Sequence, residues 1–187
     1  MGRFLAAISA VVILAAPSAR ATTIIDRSLP QMAKHSTLVV RGNVLDKRSE
    51  WGPRRAYIAT RVRLKLTEVM KGNVRIGDEL TILQSGGVVD GIGQNVSGAA
   101  KFEPGEEVVV FLETSKKTAG EFVLSSMAAS KFKVTRDDKG VQLSRDLGHL
   151  TLAKPGVTGK LSAMPTTAPT TLTLDELRTS VRGASAR

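Results

Sequence analysis

"AYIATRVRLKLTEVMKG", residues 56–72, decides the fold. Ile58, Thr60, Val62, Leu64 and Leu66 take every second position, and Tyr57, Arg61, Arg63 and Lys65 fall on the other face. In an extended chain successive side chains point to opposite sides, so this pattern predicts a long strand with one buried and one solvated face. Upstream, residues 37–51, "TLVVRGNVLDKRSEW", alternate too, with Leu38, Val40 and Val44 on one face and Arg41, Asn43 and Lys47 on the other. "WGPRR" joins the two strands as a turn.

Further strands follow at short intervals. "DELTILQ" (78–84) is a third. "EEVVVFLE" (106–113) is a fourth, and its unbroken apolar run predicts burial on both faces. "EFVLSSMA" with "SKFKVTR" is read as a fifth, long strand bent near Ala128. "RDDKG" (136–140) is a hairpin turn, and "VQLS" pairs back as a sixth strand. Long alternating strands with few aromatics predict a mainly all-β fold, a small closed or partly open β-barrel, because closure removes exposed edges. A β-sandwich is the alternative.

Helices are expected at both ends of this body. In "SLPQMAKHS" Ser28 is an N-cap with Gln31 three residues on, and Leu29, Met32 and Ala33 form the buried side. In "TLDELRTSVR" (173–182) Thr173 is the cap, Glu176 completes the box, and Leu174, Leu177 and Val181 make a stripe that docks on the body. Residues 154–171, rich in Pro, Thr and Gly, read as a linker. The domain reading is 1–21 signal peptide, 22–150 barrel, 151–172 flexible linker, and 173–187 C-terminal helix and tail.

The glycine-rich run "GGVVDGIGQNVSG" (86–98) is read as a bend and not as a phosphate loop. Phosphate loops lead into a helix N-terminus with Lys or Ser/Thr at hand, and here a turn and a strand follow. Asp90-Gly91 is a hairpin pair, Gly86, Gly87 and Gly98 supply positive φ, Phe102 anchors the run, and Pro104-Gly105 turns into the next strand.

Arg3, the apolar run 4–16, Pro17 and "ARA" (19–21) read as a signal peptide cleaved after Ala21, too short in its apolar part to cross a bilayer as a helix. The protein is therefore expected to be exported, periplasmic or extracellular. With no cysteine it has no disulfide, thiolate metal site or cysteine nucleophile. The formal charge of +10 becomes +8 from Thr22 onward, since Arg3 and Arg20 belong to the leader and no acid does. Such a surplus favours anionic partners.

"LVVRGNVL", "TRVRLKLTEVMKG", "GGVVDGIGQNVSGAAKFEPGEEVVVFLE" and "MAASKFKV" together resemble a family of exported bacterial proteins of uncharacterised function, over residues 22–134. That resemblance implies a signal peptide and a small β-barrel. In outline the chain is also similar to the netrin-like module, the OB-type barrel of tissue inhibitors of metalloproteinases, which implies an OB-like barrel. Those inhibitors chelate zinc through an N-terminal cysteine. This chain has none, so only the fold carries over.

No catalytic residues are assigned. His35 and His149 lie far apart in sequence, no G-x-S-x-G elbow exists, and Asp137-Asp138 and Glu106-Glu107 are neighbours that a strand splits to opposite faces. No metal or cofactor is expected. Binding is the better reading. Arg61, Arg63 and Lys65 stand about 7 Å apart along one strand face, a spacing that matches polyanions. Arg41, Lys47, Lys131 and Lys133 are expected outward as well. Trp51, Arg54 and Arg55 occupy the first hairpin loop, where an exposed indole beside arginines can stack on a base or sugar. A solvated basic face, with Trp51 capping the barrel, is the plainer use of the same residues.

The function expected is a non-catalytic binding module acting on a secreted or envelope protein, a protease among the candidates, in an inhibitor-like way. The alternative partner is an anionic polymer, with envelope polysaccharide ranked above nucleic acid. N-terminal sequencing of the exported protein is expected to read Thr22-Thr23-Ile24; a sequence beginning at Met1 would overturn the leader reading.

Overall fold

The computed structural model describes residues 22–138, 140–147, 150–155, 161–164 and 171–185. The predicted leader, His149 and parts of the predicted linker and tail (156–160, 165–170 and 186–187) lie outside those residues. In chain order the elements begin with β1 (Thr22–Ile25), α1 (Leu29–His35), β2 (Leu38–Trp51), a 3-10 turn (Pro53–Arg55), β3 (Ile58–Lys71) and β4 (Glu79–Ser85). The hairpin β5 (Gly87–Val89) and β6 (Ile92–Gln94), then β7 (Glu107–Thr114) and β8 (Phe122–Leu124), follow. A second 3-10 turn (Met127–Ser130) leads to β9 (Lys131–Asp137), β10 (Gly140–Ser144), β11 (Leu150–Pro155), β12 (Leu161–Met164), β13 (Thr171–Thr173) and α2 (Leu174–Ser185).

The fold is mainly β, as expected, and its large sheet curls on itself. β2, β3 and β4 form an antiparallel meander. β7 pairs with the other edge of β2. The far edge of β7 is shared, with β9 on Val108–Val110 and β8 on Leu112–Thr114. β8 then meets β4 in parallel through one pair, Ile82↔Phe122. The pairings thus run round β2, β3, β4, β8 and β7, and β9, β10 and β13 extend the sheet outside that ring.

Curvature has a local cause. The β2–β3 ladder shifts register between Val39 and Val40, Arg41 and Gly42, and Val44 and Asp46, and such bulges coil a long hairpin. At Gly42 an added Cβ would run into the Lys65 carbonyl, so the strands approach there only because the side chain is absent.

β7 has its central residues buried on both faces, as its apolar run predicts. Val108, Val110 and Leu112 face an inner core with Leu38, Val40, Val44, Val62, Leu64, Leu66, Ile82 and Phe102. Val109 and Phe111 face an outer core with Phe132, Val134 and Leu143, roofed by Met32 and Ala33 of α1 and by Leu174, Leu177 and Val181 of α2. Both helices carry the predicted caps. Ser28 N–H donates to Gln31 Oε1 at 2.9 Å, and Thr173 N–H to Glu176 Oε2 at 2.7 Å.

Two expectations need correction. The single bent strand around Ala128 is two strands, β8 and β9. The 3-10 turn that separates them includes Met127 at φ 50°. The described parts of 151–172 are not a linker. β11 pairs in parallel with β1, β12 with β11, and β13 with β10. The partner of β11 lies at the other end of the chain, so local composition could not reveal it.

Leu177 is fully buried in the outer core. Leu177→Ala is expected to lower stability by about 2–4 kcal/mol in urea unfolding. A change within about 0.5 kcal/mol would show that α2 does not dock.

Candidate functional site

The outer face of β3 carries the predicted basic row, but acids from both neighbouring strands meet it. Arg61 bonds Glu50 of β2 and Glu121 just before β8. Arg63 Nε donates to Asp46 Oδ2 at 2.9 Å, and its Nη1 to Glu79 Oε2 at 3.2 Å. The hydrogen bond from Arg63 holds the Asp46 carboxyl below the usual carboxylate range. Lys65 is exposed and has no ion pair among the described residues.

Arg41 and Lys131 do not face outward, which corrects the sequence reading. Arg41 is 14% exposed, ion-paired to Glu107 at 2.8 Å and Glu68 at 3.6 Å beside α2. Lys131 is 12% exposed on the opposite side of the sheet, bonded to Glu106 and lying 4.9 Å over the Phe102 ring. Burial pushes its ammonium below the usual lysine value despite that carboxylate. The physical reason is that β7, β9 and α2 cover what a single strand would leave open. Glu106 and Glu107 serve these two cations on opposite faces, as the adjacent-pair argument requires. Lys133 is exposed, and Lys47 bonds Glu103 and the Phe102 carbonyl.

The first hairpin loop is different in character. Arg54 and Arg55 both hold φ 55° and are exposed. Left-handed backbone costs non-glycine residues about 1 kcal/mol each. Arg55 lies 5.6 Å over the Trp51 ring, so one face of the indole is already stacked. Trp51 Nε1 donates to Asp90 Oδ2 at 3.3 Å, and Arg55 pairs with the same carboxylate at 3.6 Å.

Asp90 is the tip of the β5–β6 hairpin, with φ 51° followed by Gly91 at φ 76°, so the glycine run bends as expected. The hairpin is pinned to β3. Thr60 Oγ1 donates to the Gly86 carbonyl at 2.6 Å, and Ile58 N–H donates to Gln94 Oε1 at 2.6 Å. A Cβ on Gly87, at φ 138°, would collide with Ser49 and Thr60. Two apolar side chains stand out on this fixed support, Val88 at 66% and Ile92 at 55% exposure.

A groove of about 250 Å³ is lined by Tyr57, Ala59, Leu83–Ser85, Glu113–Lys117 and Val123. Lys117 lies 5.5 Å over the Tyr57 ring. The sequence reading missed Val88, Ile92 and the groove. An Asp-Gly hairpin flanked by valine and isoleucine was the available signal for the first two. The groove is assembled from four distant segments and has none.

His35 is exposed in the last turn of α1. No group of three or more His, Cys, Asp or Glu that could hold a metal occurs among the described residues. No helix of the described residues is long and apolar enough to cross a membrane. No family model matches the chain, and no curated protein matches it.

Glu68 joins α2 to β3. Arg178 donates to both its oxygens, at 2.7 and 2.8 Å, and this bonding first, with Arg178 and Arg41 charge second, holds the Glu68 carboxyl below its usual value of 4.5. A carboxyl depressed in the folded state stabilises above its unfolded pKa and loses that contribution as pH falls through the folded one. The urea midpoints of the wild type and Glu68→Gln are therefore expected to differ most near about pH 7 and to converge as pH falls through the depressed pKa of Glu68. A constant gap across that range would overturn the assignment.

Proposed function

We propose that this is an exported, non-catalytic binding module that recognises another secreted or envelope protein through its loop end. One observation carries the reading. Val88 and Ile92 project from a pinned hairpin, next to Trp51 and two arginines held in left-handed backbone. Exposed apolar side chains on a rigid support mark protein contact surfaces. Local strain kept at a loop tip fits a surface selected for contact and not for stability.

The strand pairings support the outline resemblance to an OB-type barrel. A β2–β3–β4 meander, β4 parallel to β8, β8 antiparallel to β7, and β7 back on β2 follow the strand order of an OB-type barrel. We read the chain as a cysteine-free relative of that architecture, within the exported bacterial group that its motifs resemble. Inhibition of a protease remains part of this proposal. The polyanion reading is weaker, because Arg61 and Arg63 are already neutralised by carboxylates. It is left with Arg54, Lys65 and Lys133.

The test is capture of partners from the secreted fraction by the immobilised exported protein. The Val88→Ser/Ile92→Ser variant is expected to lose the captured protein, with affinity down at least about tenfold. Arg61→Ser/Arg63→Ser/Lys65→Ser is expected to keep it. The opposite pattern, with release by modest salt, would favour the polymer reading. Arg54→Gly is expected to raise stability by up to about 1 kcal/mol in urea unfolding, because glycine adopts the same backbone without strain.

A further inference from the structure

The groove beside Tyr57 has the geometry of an unfilled strand position. β4 is fully paired with β3, from Glu79 to Ser85, but it meets β8 only at Ile82↔Phe122. Past that pair the two strands diverge, and the groove opens between Leu83–Ser85 on one side and Val123 on the other. Alternation along the β3–β4 ladder fixes which backbone groups face the gap. Gly86 N–H bonds the Ile58 carbonyl and Leu66 N–H bonds the Asp78 carbonyl, so even-numbered residues of β4 bond β3. The backbone of Leu83 and Ser85 therefore turns toward the groove, where no strand pairs with β4 beyond Ile82.

The side chains agree with that edge. Tyr57, Ala59, Leu83 and Val123 give an apolar floor. Gln84 Nε2 donates to the Ala100 carbonyl at 3.0 Å, which leaves its buried Oε1 with no donor. Lys116 and Lys117 stand exposed on the rim. The volume is below the roughly 300–1,000 Å³ of small-molecule sites, but it suits a short extended segment that seats one side chain.

We propose that this groove takes an extended segment of the partner protein, which adds as a short strand along Leu83–Ser85. It seats an apolar side chain against Tyr57 and Leu83, and an acidic neighbour faces Lys116 and Lys117. The proposal rests on the protein-binding reading and names the feature of the partner that is recognised. Main-chain bonds supply affinity in strand addition, and pockets for alternate side chains supply selectivity. The Val88–Ile92 tip lies outside the groove lining, so each contact can be removed separately.

The probe is a phage-displayed library of random linear peptides, panned on the immobilised exported protein. Enriched sequences are expected to pair an apolar residue with Asp or Glu. A synthetic consensus peptide is expected to lose at least about tenfold in affinity on Ala59→Arg and on Ser85→Trp. Ser85 is exposed, so that variant keeps the fold if the Ala59 change does not. N-methylating alternate peptide amides is expected to abolish binding in one register and spare it in the other. Amide exchange at Ser85 is expected to slow on binding. Enrichment of nothing, equal binding to both blocked variants, or indifference to N-methylation would overturn strand addition. Loss of partner capture in Val88→Ser/Ile92→Ser would still uphold the broader reading in that case. Retained capture in that variant would count against the loop-end reading alone.

Discussion

Everything in this fold depends on β7 being buried on both sides. Val108, Val110 and Leu112 close the inner core while Val109 and Phe111 found the outer one, and all five are inaccessible. A strand with two apolar faces cannot sit at a surface, so one side must be wrapped by the curled meander and the other roofed by helices. The two caps that start α1 and α2 place those helices over the same patch. The bulges of β2 and the missing Cβ at Gly42 let the meander curl round.

The same constraint reorganises the charges. Read along a single strand, the arginines and lysines look like an open basic face. In three dimensions the acids of β2, β4 and β7 stand opposite most of them. Exposed pairs of this kind contribute little to stability, and their main effect is on what the surface can bind. They fix Arg61 and Arg63 in place and lower the potential of the β3 face. The loop end instead presents exposed apolar side chains together with arginines held in left-handed backbone.

Wherever the chain settles matters locally, its sequence was legible. Alternation placed β2 and β3 and their faces, the unbroken run placed β7 between two cores, both capping boxes formed, and Asp90-Gly91 made its hairpin. Legibility failed where the deciding partner was distant. Arg41 was read as outward because nothing in its own strand announces Glu107 or α2. Lys131 lies on Phe102 through a chain reversal that no local window records. Of the strands hidden in the Pro- and Thr-rich stretch, β11 is held by β1, more than a hundred residues earlier, and β13 by β10. The groove exists because two strands part after a single pair, which is a property of tilt and not of residue type.

The parallel pairing of Thr22–Ile25 with Leu150–Ala153, and the roof that α2 puts over the outer core, have a consequence for the order of events in folding. The outer core side of β7 is not complete until residues 174–181 have joined it, and β11 has no parallel partner until it meets β1. Contacts so far apart in sequence form late and slowly, because the connecting chain must first surrender its freedom. An incomplete chain emerging from a ribosome, lacking residues 174–181, has an outer sheet face covered by α1 alone. Its inner core can already close, but its outer core cannot. The topology thus divides the fold into an inner core built from residues between Leu38 and Leu112 and an outer core that waits for the C-terminal helix.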